Sequence, residues 1–465
     1  MNLKFGTDGW RAIVGRDFTP ANVDAVIQAF ADLYPSLPEA GRPVCIGFDR
    51  RNQSPEMALR VATLLAANGI EAWLSADYCP TPCLSWEVVQ RRAAAGIMIT
   101  ASHNPPEWNG IKFKESYGGA ASPEFTDPIE AQIVRNALSH RAPQDTAGAA
   151  VRVQRFIPTA GYVDALRTFV DTSLIASKKF RVLFEPMYGA GAGYLSRIVD
   201  GVTEIHGQRD LLFGGVHPEP IIPYLGEAIA TMQRGGFDIC VVTDGDADRI
   251  GAVDERGTFI TSHEIFALLL VHAVQHRGWR GTVVKSITTT RMIDRICTHF
   301  DLPLQVTPVG FKHISPALKA PGMLMGGEES GGIGIPRHLC ERDGLLSALL
   351  LLELMAVGKK PISALIADLQ QQFGPTHYRR IDLKLTPEQM TRAKQRLQGD
   401  LPTQLCGQTV AQLDRIDGFH FRRTDDSWLL IRPSGTEPLL RTYAEARSPA
   451  DVESLLAEAA RIVGV

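Results

Sequence analysis

Short, fully apolar runs alternate along this chain with longer amphipathic ones. VCIGFD (44–49) has the length and composition of a strand buried on both faces, and SPEMALRVATLLAANG (54–69) follows at helical spacing. Ser54 as cap, Pro55 at the first helical position and Gly69 as stop signal bound that helix. AAAGIMITA (93–101) predicts another strand. The pattern restarts at RVLFEP (181–186), where GAGAGYLSRIVD is expected to open a helix and DICVVTD (238–244) to form a strand. A third restart runs from GTVVKSITTT (281–290) through a helix to GMLMGGEESGG (322–332). Strands and helices in three similar blocks predict three related α/β domains.

The C-terminal segment differs. TPEQMTRAKQRL (386–397) begins with a Thr-x-x-Gln capping box, and SWLLIRPS (427–434) and LRTYAEA (440–446) predict paired strands. SPADVESLLAEAARIVG closes the chain as an amphipathic helix capped by Ser448. A smaller α+β domain follows from this. The expected domains are 1–145, 146–252, 253–370 and 371–465, with APQDTAGAA (142–150) as a linker and Gly374 in a stretch that lets the last domain move.

Composition narrows the class. With 45% hydrophobic and 21% charged residues and a net charge of −3, neither a disordered chain nor a general nucleic-acid binder is expected. The seven cysteines are scattered without zinc-site spacing, which fits reduced thiols in a cytoplasm. No signal-peptide core opens the chain, and LLSALLLLELMAVG, interrupted by Glu353, is too short to cross a bilayer and predicts a core helix.

The chemistry-bearing residues lie where strands end. In TASHNPPEWNGIKFK (100–114), Ser102 and His103 precede a rigid turn, and Lys112 and Lys114 follow. Ser102 is either a turn-capping serine or a carrier of a transferred group; it is not in a Gly-x-Ser-x-Gly elbow. His103 could orient a ligand or move a proton, and a lysine could assist proton transfer. In ICVVTDGDADRIGAVD (239–254), Asp244, Asp246 and Asp248 repel one another unless a hard cation such as Mg²⁺ or Ca²⁺ joins them. Arg249 stands where an EF-hand needs glycine, and a cation beside carboxylates awaits an anion. In GGEESGG (326–332), Glu329 and Ser330 suit sugar hydroxyls. In RPSGTEP (432–438), Arg432, Ser434, Gly435 and Thr436 form a phosphate cradle without a Walker pattern. A hydroxyl, a hard-metal site, a polyol reader and a phosphate clamp together point to phosphoryl transfer.

This motif set resembles that of the α-D-phosphohexomutases, the phosphoglucomutase/phosphomannomutase family. The resemblance runs from Phe5 to near the C-terminus. It implies four domains around a central cleft: three similar α/β domains with mixed sheets and a smaller C-terminal α+β domain. It implies that Ser102 is phosphorylated, that the three aspartates and the Ser102 phosphate hold Mg²⁺, and that Lys112 is the general acid/base. FGTDGWRA places Arg11 as an active-site arginine, and VGFKHI (309–314) places Lys312 and His313 at a substrate-contacting loop. The implied reaction moves phosphate between C1 and C6 of a hexose through a 1,6-bisphosphate, with glucose 1,6-bisphosphate as priming activator. Glucosamine-specific relatives carry Gln-Ser-Gly-His in the sugar loop; Glu329-Ser330-Gly331-Gly332 points to glucose, with mannose as secondary substrate. The expected partners are hexose phosphates, not nucleic acid or membrane, and the chain is expected to be a monomer or homodimer. A glucose-1,6-bisphosphate synthase and a non-catalytic sugar-phosphate-binding protein use the same parts.

Overall fold

The computed structural model describes residues 3–6, 8–433 and 439–464. Four sheets follow one another along the chain. The first contains β1 (Trp10–Ile13), β2 (Val44–Phe48), β3 (Ala72–Ser75), β4 (Ala95–Ile99), β5 (Trp108–Glu115) and β6 (Gln154–Phe156), in the order β1-β5-β4-β2-β3-β6. The second contains β7 (Val182–Glu185), β8 (Val202–Glu204), β9 (Ile239–Thr243), β10 (Ile250–Asp254) and β11 (Phe259–Ile260), in the order β11-β10-β9-β7-β8. The third contains β12 (Thr282–Ser286), β13 (Leu304–Thr307), β14 (Met323–Gly327), β15 (Ile333–Ile335) and β16 (Leu339–Arg342), in the order β13-β12-β14-β15-β16.

The three sheets repeat one arrangement. A buried strand pairs in parallel on one side and antiparallel on the other: β4 between β2 and β5, β9 between β7 and β10, β14 between β12 and β15. β2, β4 and β9 are buried at every position, so their sequences are apolar without alternation. Each of the three functional motifs occupies the connection out of the central strand: 100–107 after β4, 244–249 after β9, 328–332 after β14. Ligands in mixed α/β sheets gather at the carboxyl ends of the strands, and these connections lie there.

The fourth sheet is wholly antiparallel: β17 (His377–Lys384), β18 (Gln404–Leu405), β19 (Gln408–Asp414), β20 (Phe419–Arg423), β21 (Trp428–Pro433) and β22 (Leu439–Ala446), in the order β17-β22-β21-β20-β19-β18. Its core, built on Phe421, Leu429, Ile431 and Leu455, is separate from the others. The helix Gly344–Gly358 is buried along nearly its whole length and joins the second and third domains in one apolar cluster, as its all-round hydrophobicity predicts. No helix among the described residues is long and apolar enough to cross a membrane.

Several sequence expectations change. Ser54 is the first helical residue of Ser54–Ala67 rather than its cap: Gln53 holds the cap position, and Ser54 Oγ donates to Asp49 Oδ1 at 2.7 Å. GAGAGYLSRIVD forms turns and a single 3-10 turn, Leu195–Arg197. Gly189 is needed there for contact, since a Cβ would stand 2.8 Å from the carbonyl oxygens of Asp244 and Gly245. The cut after 145 leaves β6 outside the first sheet, where it pairs with β3; the cuts after 252 and 370 fall within β10 and within the helix Ile362–Phe373. Ser434, Gly435 and Thr436 lie outside the described residues.

Candidate active site

The buried β4 runs into Thr100 and Ala101, and at Ser102 the backbone turns left-handed (φ 53°). That conformation is costly for a non-glycine residue and is kept only where its surroundings enforce it. Arg51 does so. Its buried Nη2 donates to the carbonyls of Ser102 and Asn104, both at 2.6 Å, and its Nη1 to those of Pro105 and Trp108 at 2.9 and 3.1 Å. Asp49 Oδ2 stands 3.4 Å from Arg51 Nε. Arg11, opposite Gly110 in the β1–β5 ladder, donates from Nη1 to Asn104 Oδ1 at 2.7 Å. His103 Nδ1 lies 3.4 Å from Ser102 Oγ. Burial, then Arg249, Arg11 and Lys112, holds that imidazole well below its ordinary pKa, so it is neutral at pH 7.

The aspartate loop meets this serine. Ser102 Oγ donates to Asp244 Oδ2 at 2.7 Å, while Asp244 Oδ1 accepts from the backbone N–H groups of Asp248 and Arg249 at 3.0 and 3.1 Å. A Cβ at Gly245 would stand 2.4 Å from the Ser102 carbonyl oxygen, so the two loops touch through a glycine. Thr81 holds Asp246 twice, from its N–H to the Asp246 carbonyl at 2.8 Å and from Oγ1 to Oδ2 at 2.5 Å. One oxygen of each of Asp244, Asp246 and Asp248 lies within 4.8 Å of the others, and all three residues are buried. Burial and the neighbouring Asp246 and Asp248 raise the pKa of Asp244 well above the usual carboxylate range. Asp246 Oδ1 and Asp248 Oδ1 are buried without a hydrogen-bond partner. Three carboxylates, two orphaned oxygens and no softer ligand fit a hard divalent cation such as Mg²⁺.

Lys112 closes one side. Its Nζ lies 2.7 Å from Asp8 Oδ2 and 2.8 Å from Oδ2 of both Asp246 and Asp248. Burial would lower its pKa; Asp246, Asp248 and Asp8 outweigh that and raise it. Arg342 pairs with Asp8, with Asp248 at 2.6 Å, with Glu328 at 3.2 Å and with Glu341 at 3.5 Å. Lys114 turns away from the serine to Glu341 Oε2 at 2.5 Å. The linked ion pairs thus join five carboxylates to three cations, an excess of two negative charges that a divalent ion would neutralise. Arg249 Nη1 stands 3.5 Å from Glu219, and its buried Nε, which makes no hydrogen bond, faces Asp244 Oδ2 at 4.0 Å.

Comparison with known proteins decides what this assembly is. Residues 2–140, 160–257 and 261–373 match the descriptions "Phosphoglucomutase/phosphomannomutase, alpha/beta/alpha domain" I, II and III, and 387–462 match "Phosphoglucomutase/phosphomannomutase, C-terminal domain". The chain belongs to the phosphoglucomutase/phosphomannomutase family. It is 30% identical over 462 residues to a Thermococcus kodakarensis "Phosphoglucomutase/phosphomannomutase", covering 96% of this chain and 95% of that one. It is 31% identical over 474 residues to a "Probable phosphoglucosamine mutase" of Methanopyrus kandleri, covering 100% and 98%. Among solved structures, that of a putative phosphomannomutase from Thermus thermophilus matches with a TM-score of 0.88 at 32% identity, each chain covered in full. The chain is therefore a phosphosugar mutase of the phosphohexomutase type.

The loop 328–332 adjoins the aspartates. The Ile250 N–H donates to the Gly331 carbonyl at 3.0 Å, and Glu328 N–H to that of Gly332 at 3.0 Å. Ser330 Oγ is buried without a partner. Burial raises the pKa of Glu329, whose Oε1 stands 3.7 Å from Arg380 of the fourth domain. Lys312 is the second residue of the helix Phe311–Leu318, and its Nζ reaches the Gly6 carbonyl at 3.4 Å; His313 beside it is half-buried. Arg432 pairs within the fourth domain with Asp417 at 2.8 Å. The structure gathers Ser102, His103, Arg11, Lys112, the aspartates and Arg249 at one junction. Sequence reasoning missed Asp8, Arg51, Thr81, Glu219 and Arg342. All but the loop residue Glu219 lie at or near a strand or helix end, and for Arg51 the signal was present: Asp49-Arg50-Arg51 directly follows β2.

Proposed function

We propose that this mutase interconverts hexose 1-phosphate and hexose 6-phosphate, with glucose phosphate as the main substrate, mannose phosphate as a secondary one, and Ser102 as phosphate carrier. The observation that carries the reading is the 2.7 Å bond between Ser102 Oγ and Asp244 within a buried triad of carboxylates. Mg²⁺, held by Asp244, Asp246, Asp248 and the Ser102 phosphate, would neutralise charge on the transferring group.

This chain's residues supply the rest. The Ser102 Oγ–P bond breaks as a sugar oxygen bonds to phosphorus, and the hydroxyl proton leaves that oxygen. The resulting 1,6-bisphosphate turns over. Its other phosphate returns to Ser102, the second sugar O–P bond breaks, and a proton is given to that oxygen. We assign to neutral His103 the proton taken from the attacking sugar hydroxyl and to Lys112, protonated at rest, the proton given to the leaving sugar oxygen in the returning half; proton exchange from the imidazolium to the amine then resets the pair. Neutral His103 and Arg11 orient the phosphoserine loop, Arg249, beside Asp244, awaits a substrate anion, and Glu329 and Ser330 take sugar hydroxyls. Lys312 and His313 complete the sugar side, and Arg432, Ser434, Gly435 and Thr436 form the clamp for the phosphate not being transferred. The Glu-Ser-Gly-Gly loop supports glucose or mannose over glucosamine.

The test is a coupled assay with Mg²⁺ and a trace of glucose 1,6-bisphosphate, running the 1-phosphates of glucose, mannose and glucosamine in parallel. Glucose is expected to turn over fastest and Ser102→Ala to be inactive while folded. Silence with all three sugars, or near-native rates in Ser102→Ala, overturns the reading.

A further inference from the structure

Arg342 ends β16 and precedes Asp343, which caps the helix Gly344–Gly358 by accepting from Leu346 N–H at 2.8 Å. Its backbone is thus held between a strand and a helix of the third domain, and its side chain crosses to the other two. Nη2 donates to Asp8 of the first domain and, at 2.6 Å, to Asp248 of the second; Nη1 donates at 3.2 Å to Glu328 in the sugar loop. The guanidinium lies 5.1 Å above the ring of Phe311, at the start of the helix that carries Lys312 and His313. It is 2% exposed.

The path exists because of a glycine. A Cβ on Gly332 would stand 2.2 Å from Arg342 Cδ and 2.8 Å from Cγ, so any side chain at 332 and the arginine in its present position exclude each other. Gly332 also closes the sugar loop by accepting from Glu328 N–H. Among the ion pairs of the site, Arg342 bridges two groups: Lys112, Asp8, Asp246 and Asp248 on one side, Glu328 and Glu341 on the other. A planar fork can hold two carboxylates in fixed relative position, which a lysine cannot.

We propose that Arg342, threaded past Gly332, is a positioning residue that couples the sugar-reading loop to the aspartate loop. Filling the aspartate site draws on Asp248, which shares Nη2 of Arg342, and the change reaches Glu328 through Nη1 of the same guanidinium. Sugar phosphate and divalent cation therefore alter each other's affinity through this side chain. The inference rests on the mutase reading, which names the two ligands.

Dephosphorylated protein binds without transferring phosphate, so calorimetry can follow glucose 1-phosphate with and without Mg²⁺, and Mg²⁺ alone. In the native protein Mg²⁺ is expected to change glucose 1-phosphate affinity by about fivefold or more, within the usual span of coupling. Arg342→Met and Glu328→Gln should each shrink that ratio to within about twofold, and Gly332→Ala should do the same by displacing the arginine. Glu328→Gln should leave Mg²⁺ affinity of the sugar-free protein near native, since the bond to Asp248 remains; it also serves if Arg342→Met does not fold. A ratio absent in the native protein, or unchanged in Arg342→Met or Glu328→Gln, overturns the proposal, as does a proportionate weakening of both ligands. A native protein that interconverts no sugar phosphate instead refutes the mutase reading.

Discussion

Ser102 and Asp244, 142 positions apart in the chain, meet through a 2.7 Å hydrogen bond from Oγ to Oδ2. Each ends the central strand of its own sheet, and neither sheet alone makes a site. The hydroxyl is set by Arg51 and Thr100, the carboxylate by two backbone N–H groups of its own loop. The chemistry depends on docking of the two frames, with Gly245 permitting backbone contact with Ser102.

Metal binding should therefore appear as folding stability. Three buried carboxylates held close cost the apo protein, and burial with mutual repulsion already raises Asp244. Mg²⁺ at a hundredfold over its Kd should stabilise the native protein by about 2.7 kcal/mol, read as a rise in Tm. Asp244→Asn keeps an acceptor for Ser102 but should lose most of that rise, and a chelator should stop turnover of the native enzyme. An undiminished Mg²⁺-dependent rise in Asp244→Asn would place the metal elsewhere.

Arg51 should matter to rate as much as to stability. One guanidinium feeds four carbonyls between Ser102 and Trp108, a geometry a lysine ammonium cannot match. Arg51→Lys should lower kcat by about 10²-fold through misplacement of Ser102 and cost about 1–3 kcal/mol of stability from unmet carbonyls. Unaltered kcat with a lowered melting point would confine Arg51 to the fold.

Legibility in the sequence followed locality. The Thr386–Gln389 capping box, the Ser448 cap and the buried helix from Gly344 were readable because each depends on neighbours within a turn or on uniform burial. The motifs after β4, β9 and β14 were readable because strand ends and unusual residues coincide. The roles of Arg51 and Arg342 were not, since their partners lie 51–57 and up to 334 positions away; for Arg51 only its place after β2 could have drawn attention. Gly189 and Gly191 read as part of a helix from sequence alone, whereas they serve close contacts with the aspartate strand and loop. Lys112 and Lys114 look equivalent in the sequence; they share a strand face but pair with different domains, one with the aspartates and one with Glu341.

Acid should attack a second ionic cluster. Glu353, within the core helix, accepts from Arg277, from the Asp171 N–H at 3.0 Å and faces His272 at 3.2 Å. Burial would raise its pKa, but the bonds from His272, Arg277 and Asp171 take it down to about 2. A depressed carboxylate contributes stability above its ordinary value of 4.5 and loses it as pH falls toward about 2. Glu353→Gln should lower the urea midpoint at pH 7 and flatten its fall below pH 4.5. Equal acid slopes in the two proteins would assign the acid sensitivity to other groups.

Movement of the last domain is expected to accompany substrate entry. Ser102 is 1% exposed and the three aspartates 0%, so a sugar phosphate reaches them only after the chain moves. The fourth domain is attached to the third by a small apolar contact, Ile287 and Val309 against Trp428, Leu430 and Tyr443, and by polar bonds. Asp426 takes Arg291 Nε at 2.9 Å and Arg295 at 3.2 Å, and Val309 N–H donates to Asp417 at 3.0 Å. Gly374, at φ 83°, lies between the helix Ile362–Phe373 and β17. Partly exposed ion pairs contribute about 0.5 kcal/mol each, so Asp426→Ala should weaken closure by about 1 kcal/mol and raise the open population about fivefold. Spin labels on the first and fourth domains should then report longer separations than in the native protein, and on the proposed reading saturating glucose 1-phosphate should restore the native distance. Identical distance distributions without ligand would show that the apolar contact alone holds the fourth domain.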